Sequence, residues 1–251
     1  MGKVYLVGAG PGAPDLLTLR AAKLLGVADV VFFDALVHPD TVALAVNARK
    51  VAVGKRAGQL SPDQRFINRA LVEAGLRHDS IVVRLKGGDP MLFGRAQEEI
   101  DALTSAGIEV EVVPGVTAAL GAAASLATSL TRRGVSRSIA FATPRVGRGE
   151  TAGEWADAVA ASDTAILYMA AGEAEAVRAA LIGRGIASTT PVVLVENATL
   201  PNERQIRGTL ADLPALVDQR VAGPAIVCIG RVFAGADAPE VSAAAAAARG
   251  V

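Results

Sequence analysis

The sequence predicts an α/β protein made of two α/β domains with a cleft between them. Short runs of β-branched residues alternate with helix-patterned segments along most of the chain. The 251 residues suffice for one large domain or two ordinary ones. The alternation also changes spacing after the turn signal Pro114-Gly115. The expected division is therefore residues 1–113, residues 116–235 and an Ala-rich tail, 236–251, that is frayed or disordered.

In the first half, strands are expected at Lys3–Val7, Val30–Phe33, Lys50–Val53, Ser80–Leu85 and Ile108–Val113. Helices fall near Asp15–Leu25, Asp40–Val46, Pro62–Ala74 and Arg95–Ala106, with Ser61 before Pro62 reading as an N-cap followed by proline at the first helical position. The Ala-rich segment Val116–Ala127 reads as a buried helix. The second half places strands at Ser138–Thr143, Thr164–Met169, Val192–Asn197, Gln205–Gly208 and Ala225–Ile229, with helices over Glu154–Ala160, Glu173–Arg184 and Leu210–Val217. Only a short loop separates Val192–Asn197 from Gln205–Gly208, so an antiparallel pair and a mixed second sheet are expected.

Composition narrows the function classes. A 51% hydrophobic fraction excludes a disordered chain, and no run of about 18 uninterrupted apolar residues is present to span a bilayer. One cysteine forbids an internal disulfide and any multi-cysteine zinc or iron–sulfur site; two histidines leave no three-histidine site. The start, Met1-Gly-Lys-Val-Tyr, lacks a signal-peptide pattern. A soluble, cytoplasmic, metal-independent protein is the expectation. The net charge of zero conceals an arginine excess, five of the 25 basic residues being lysine. The segment Arg132–Arg148 holds Arg132, Arg133, Arg137, Arg145 and Arg148 with no acid, which reads either as a wall that forks onto ligand carboxylates or as a solvated basic face. With 4% aromatics and only Phe141 within the run, stacking on nucleic-acid bases is not expected.

Two glycine loops stand out. Val7-Gly8-Ala9-Gly10-Pro11-Gly12-Ala13-Pro14-Asp15 follows a strand and is expected to open a helix, a context that invites a dinucleotide reading with Asp34 as the ribose acid. The G-x-G-x-G spacing, two prolines that remove amide donors, and Asp15 at the helix start argue against a phosphate cradle, leaving a structural turn or another ligand loop. The second, Lys86-Gly87-Gly88-Asp89-Pro90, allows close backbone approach and offers Asp89 as an anionic acceptor, or is simply a tight turn. Glu98 and Glu99 read as ordinary dipole complements in a first helical turn, whereas Arg95 at a helix start has no such explanation. His38 before Pro39 reads as a turn residue, Cys228 as a core thiol and Met169, taken alone, as core.

Several long stretches together carry a resemblance. Val4–Gly12, Val53-Gly-Lys-Arg-Ala-Gly58, Val82-Val-Arg-Leu-Lys-Gly-Gly-Asp-Pro90, Phe93-Gly-Arg95, Pro114-Gly-Val-Thr-Ala118, Tyr168-Met169 and Val195-Glu-Asn-Ala-Thr199 stand in the order and spacing of the tetrapyrrole methylases. The match covers roughly residues 3–232 and is similar to the free-standing uroporphyrinogen-III C-methyltransferase branch. The resemblance implies a homodimer, S-adenosylmethionine as methyl donor with S-adenosylhomocysteine as product, and a tetrapyrrole substrate methylated at carbons 2 and 7 to give precorrin-2 for siroheme or cobalamin. Two other functions fit the same fold: a methyltransferase on a later corrin intermediate, and a non-catalytic ligand-binding relative.

Carried over residue by residue, the resemblance implies cofactor contacts at Pro11, Gly87, Gly88, Asp89, Leu92, Thr117, Ala118, Met169 and Ala198. It implies a proton acceptor at Asp34 and a donor at Lys55, with Arg95 acting beside them and Glu98 as its acid. Thr131, Arg132 and Arg133 fall on the substrate side. Three departures are visible: Ala198 where relatives carry glycine, Ser129-Leu-Thr-Arg-Arg133 where they read Pro-Leu-Thr-His-Arg, and Ala96-Gln97 in place of Gly-Gly.

Overall fold

In the first half each strand is followed by a crossover, so successive strands run parallel. The computed structural model describes residues 2–54, 64–77, 80–147 and 153–235. The first half runs β1 (Lys3–Gly8), α1 (Leu19–Val27), β2 (Val30–Phe33), α2 (Pro39–Ala43), β3 (Arg49–Ala52), α3 (Gln64–Gly75), β4 (Ile81–Lys86), α4 (Ala96–Ser105) and β5 (Glu109–Val113). Its sheet has the order β3-β2-β4-β1-β5, every pair parallel. Ala21 and Leu25 of α1 and Val42 of α2 pack against Val7, Val31, Val83 and Leu85 on one face. Ile67 and Leu71 of α3 and Leu103 of α4 pack against Val4, Leu6, Phe32 and Val82 on the other. Both faces are covered, as a parallel sheet requires. Each fully buried leucine, such as Leu71, contributes about 1.5–3 kcal/mol by leaving water.

The second half runs α5 (Ala118–Ser125), β6 (Ile139–Ala142), α6 (Trp155–Ala160), β7 (Thr164–Tyr168), α7 (Ala174–Gly183), β8 (Pro191–Glu196), β9 (Arg204–Thr209), α8 (Leu213–Val217) and β10 (Ala225–Gly230). Its sheet is ordered β6-β7-β10-β8-β9 and is mixed: β6 and β7 are parallel, and the remaining pairs, β8–β9 included, are antiparallel. Helix α5 leaves the first sheet and packs Ala119 and Ala122 onto Ile166, Val193, Val195 and Cys228 of the second. Helices α6, α7 and α8 cover the opposite face, with the half-buried Trp155 at the start of α6 packed against that cluster. No helix of the described residues is long and apolar enough to cross a membrane.

Several expectations need correction. The first glycine loop does not open a helix: Pro14–Leu16 forms a 3-10 turn, and α1 begins only at Leu19, where the Thr18 hydroxyl accepts the Ala21 amide as an N-cap. Two prolines and the better capping residue together displace the start, and Asp15 is not at the α1 terminus. Val116–Ala127 shortens to α5 and buries one face only, leaving Leu120 exposed. His38 is the N-cap of α2, its Nδ1 accepting the Asp40 amide. The Ser61-Pro62 cap, Lys55, Arg148 and the tail lie outside the described residues.

A glycine-lined crevice as the candidate active site

In the first sheet the chain leaves β1 toward β2 on one side and leaves neighbouring β4 toward β5 on the other. Adjacent strands whose connections diverge open a crevice at their carboxyl ends, the usual ligand position in a parallel sheet. Three loops meet there through glycine. The amides of Gly10 and Gly88 exchange hydrogen bonds with each other's carbonyls (3.2 and 2.8 Å). A Cβ at Gly8 would stand 2.5 Å from the Gly115 Cα, and one at Gly115 would stand 2.3 Å from the Gly88 carbonyl oxygen. Only glycine permits these approaches. Gly88, at φ +67°, faces Ala118 and Thr117 closely enough that an added Cβ would rest in ordinary contact with both, 3.9 Å away, so these loops too lie side by side.

The second sheet supplies the facing wall. Strands β6, β7 and β8 point their carboxyl ends the same way, toward the crevice. The Tyr168 hydroxyl meets the Thr117 hydroxyl at 2.6 Å and accepts the Ala119 amide, and its ring packs on Phe93 with centroids 5.0 Å apart. Burial holds the Tyr168 phenol above its ordinary pKa, against the Thr117 and Ala119 bonds. The Thr199 hydroxyl accepts the Ala13 amide at 3.0 Å, and Pro11 fits against Gly121 of α5. Phe93, Arg95, Met169, Asn197 and Thr199 all have left-handed backbones (φ 52–70°). Strained non-glycine residues gathered at one edge are a mark of ligand sites.

Beneath the crevice mouth lies a cavity of about 260 Å3 lined by Asp34, Gln64, Arg84, Lys86, Phe93 and Arg95, among others. Its floor is charged and almost dry: Arg84 is 3% exposed, Lys86 4% and Glu99 0%. Arg84 Nη2 donates to Asp34 Oδ1 (2.7 Å) and its Nε to Glu99 Oε1 (3.1 Å), while Lys86 Nζ donates to Glu99 Oε2 (2.9 Å). Burial pulls Arg84 down, but Asp34 and Glu99 outweigh it and its pKa lies above the ordinary value. For Lys86, burial and the Arg84 charge prevail over Glu99, and its pKa is lowered.

The expected site residues separate into groups. Pro11, Gly87, Gly88, Asp89, Leu92, Thr117 and Ala118 all lie on the converging loops of the first sheet and the start of α5. Asp34, just after β2, lines the cavity with Arg95. Met169 is not core: at 43% exposure it stands on the facing edge. Asp89 is not a free acceptor, since Oδ1 takes the Met91 amide (2.8 Å) and Oδ2 the Gly115 amide (2.9 Å), tying two loops together. Ala198 puts its methyl among Ala119, Ala122 and Val195 in the core, and its carbonyl lies against Gly12. Arg95 caps α4 and forks onto Glu98 through Nε and Nη2 (2.6 and 2.7 Å).

Among the described residues the arginines of the expected wall are spread over separate elements. Thr131 borders an apolar groove along α5 and β6, Arg132 and Arg133 occupy the exposed turn closed by the Arg132–Ser136 bridge, and β6 separates Arg137 from Arg145. Sequence reasoning also treated Glu99 as a dipole complement and passed over Arg84, Lys86 and Gln64. The signal was present: Arg84 and Lys86 alternate with Val83 and Leu85 in a central strand, so their side chains share a buried face and need an acid opposite.

The fold and crevice together define a two-sheet α/β protein with a glycine-lined crevice at the carboxyl edge of its parallel sheet. A family model of tetrapyrrole (corrin/porphyrin) methylases matches residues 3–214. The chain is 46% identical over 233 residues to a siroheme synthase of Pseudomonas putida and 45% identical over 235 residues to that of Azotobacter vinelandii, in each case over 92% of this chain. It spans about half the length of these curated relatives (50%). Among solved structures, uroporphyrin-III C-methyl transferase of Thermus thermophilus, complexed with S-adenyl homocysteine, superposes with a TM-score of 0.80 at 39% identity, over 92% of this chain and 98% of that one. A cobalt precorrin-4 methyltransferase superposes with a TM-score of 0.79 at 30% identity, over 93% and 96% of the two chains. The chain belongs to the tetrapyrrole methylases.

Proposed function

We propose that this chain transfers methyl groups from S-adenosylmethionine to carbons 2 and 7 of uroporphyrinogen III, releasing S-adenosylhomocysteine and giving precorrin-2 for siroheme or cobalamin. The observation that carries this reading is the glycine-lined crevice, where the loops after β1, β4 and β5 bring backbone together at Gly8, Gly10, Gly88 and Gly115 beside the cavity that Asp34 lines. The likeness to a Thermus thermophilus enzyme complexed with S-adenyl homocysteine supports it.

The donor supplies an electrophilic methyl carbon on sulfonium, so the protein's work is alignment and exclusion of water. Gly87 and Gly88 present backbone to the donor, Asp89 fixes their loop, and Pro11, Leu92, Thr117, Ala118, Met169 and Ala198 complete the proposed donor site. The acceptor's pyrrole carbon contributes the electron pair of the new C–C bond, after which the ring sheds a proton. Asp34 takes that proton as general base, and Lys55 is the proposed donor counterpart. Arg95, held by Glu98, is proposed to act beside Asp34, with Glu98 serving the substrate side through it, and Thr131, Arg132 and Arg133 are proposed to face the substrate's carboxylates, for which the guanidinium fork is suited. The same reading makes the protein a cytoplasmic homodimer that uses no metal and binds neither nucleic acid nor membrane, with its domains divided between residues 113 and 116.

The test is mass analysis of product after incubation with S-adenosylmethionine and enzymatically made uroporphyrinogen III. Two added methyl groups are expected. No added methyl overturns the proposal, and a single one reassigns the chain to a one-site methyltransferase.

A further inference from the structure

We propose that Arg84, clamped by Glu99, is the positioning residue that holds the Asp34 carboxylate in its working orientation. The inference rests on the reading of Asp34 as proton acceptor and deepens it. All three guanidinium nitrogens are engaged: Nη2 on Asp34 Oδ1 (2.7 Å), Nε on Glu99 Oε1 (3.1 Å) and Nη1 on the Leu85 carbonyl (3.1 Å). The fork therefore has one orientation, and it fixes the carboxylate at its end. Glu99 is itself immobilised, by Lys86 on Oε2 and by the Gln64 amide on Oε1 (3.2 Å). Gln64 in turn donates to Asn68 (2.9 Å), whose side chain donates to the Glu98 carbonyl (3.1 Å), bracing α3 against the start of α4.

Stability alone gives no reason for this arrangement. Removing ions from water costs several kcal/mol for each, and apolar residues of similar volume serve as well or better on a core face. The network runs from the fully buried Glu99 to Asp34, the carboxylate that keeps 27% exposure and lines the cavity. Among the partners described, Arg84 occupies Oδ1 and none is on Oδ2, which is the oxygen proposed to accept the proton. Arginine suits the task because it keeps its charge throughout and does not compete for that proton.

The test measures kcat, KM and S-adenosylhomocysteine affinity for wild type, Asp34→Asn, Arg84→Lys and Glu99→Gln. Arg84→Lys keeps the charge, but one ammonium nitrogen cannot span both carboxylates. Its kcat is expected to fall about ten- to a hundredfold, the scale of a small misplacement of a reacting group, with S-adenosylhomocysteine affinity unchanged within about twofold. Glu99→Gln keeps the shape, loosens the clamp and lowers kcat less; it stands in should Arg84→Lys fail to fold. A folded variant with wild-type kcat overturns the inference, as does a loss of ligand affinity that matches the loss of kcat. If wild type transfers no methyl, or Asp34→Asn stays active, the underlying reading of Asp34 fails. If Asp34→Asn is inactive while Arg84→Lys turns over normally, that reading stands and only the positioning role falls.

Discussion

Two buried glutamates, one under each sheet, are satisfied in opposite ways. Glu196 at the end of β8 is 3% exposed and accepts the amides of Ala222 (2.8 Å) and Gly223 (2.6 Å), together with Arg204 (3.0 Å). Arg204 stays partly in solvent and donates onward to the carbonyls of Gln219 and Arg220. Glu99 takes no such backbone support from the partners described: it holds Gln64, Arg84 and Lys86, all buried. A carboxylate that collects backbone amides shapes a loop, here residues 219–224 against β8. One that collects buried cations beside a cavity stores charge where a reaction can use it, at a cost in desolvation.

The largest expected effect separates the two directly. Glu99→Ala takes the acid from buried Lys86 and leaves buried Arg84 with Asp34 as its acid, and is expected to cost about 3–5 kcal/mol in urea unfolding. Glu196→Ala leaves two amides and a part-solvated arginine, and is expected to cost about 1–3 kcal/mol. Equal costs would erase the distinction drawn here.

Smaller effects should appear in the pH dependence of stability, with opposite windows. Burial raises the Glu196 pKa, but the Gly223 and Ala222 amides and Arg204 outweigh it, so the folded value lies below the ordinary 4.5. Its stabilisation is therefore present above pH 4.5 and is lost as pH falls through the folded value. Glu196→Gln should flatten that acid limb. Lys86 is a base whose folded pKa lies below 10.5, so the unfolded chain binds its proton more tightly. Stability should rise with pH from the folded value toward 10.5, and Lys86→Met should remove that rise, as read from urea midpoints across the alkaline range.

The strand framework was legible because both halves obey simple patterns. β2 was read to the residue, and the antiparallel β8–β9 pair followed from a loop too short for a crossover. Helix starts were less legible where two signals competed, as when Thr18 rather than Pro14 set the beginning of α1. The crevice was legible as glycines, because close backbone approach excludes every other residue at Gly8 and Gly115. What stayed hidden was pairing across distance. Glu99 looked like a first-turn acid until β4 placed two cations beneath it, and the arginine run read as continuous although β6 lies between Arg137 and Arg145. Met169 looked apolar and buried, yet its left-handed backbone at φ 56° turns it out into the cleft.

The central claim is that the glycine loops around Gly88 receive the methyl donor. Calorimetric titration of S-adenosylhomocysteine into wild type and Gly88→Asn tests it most directly. Asparagine tolerates the φ of +67°, and its side chain, longer than the Cβ that already reaches contact with Thr117 and Ala118, would crowd the surface the loops present. The account predicts saturable binding by wild type and at least about a tenfold loss in the folded variant, the 1.4 kcal/mol that a blocked contact surface readily exceeds. Absence of binding by wild type, or equal affinity in both proteins, would contradict it.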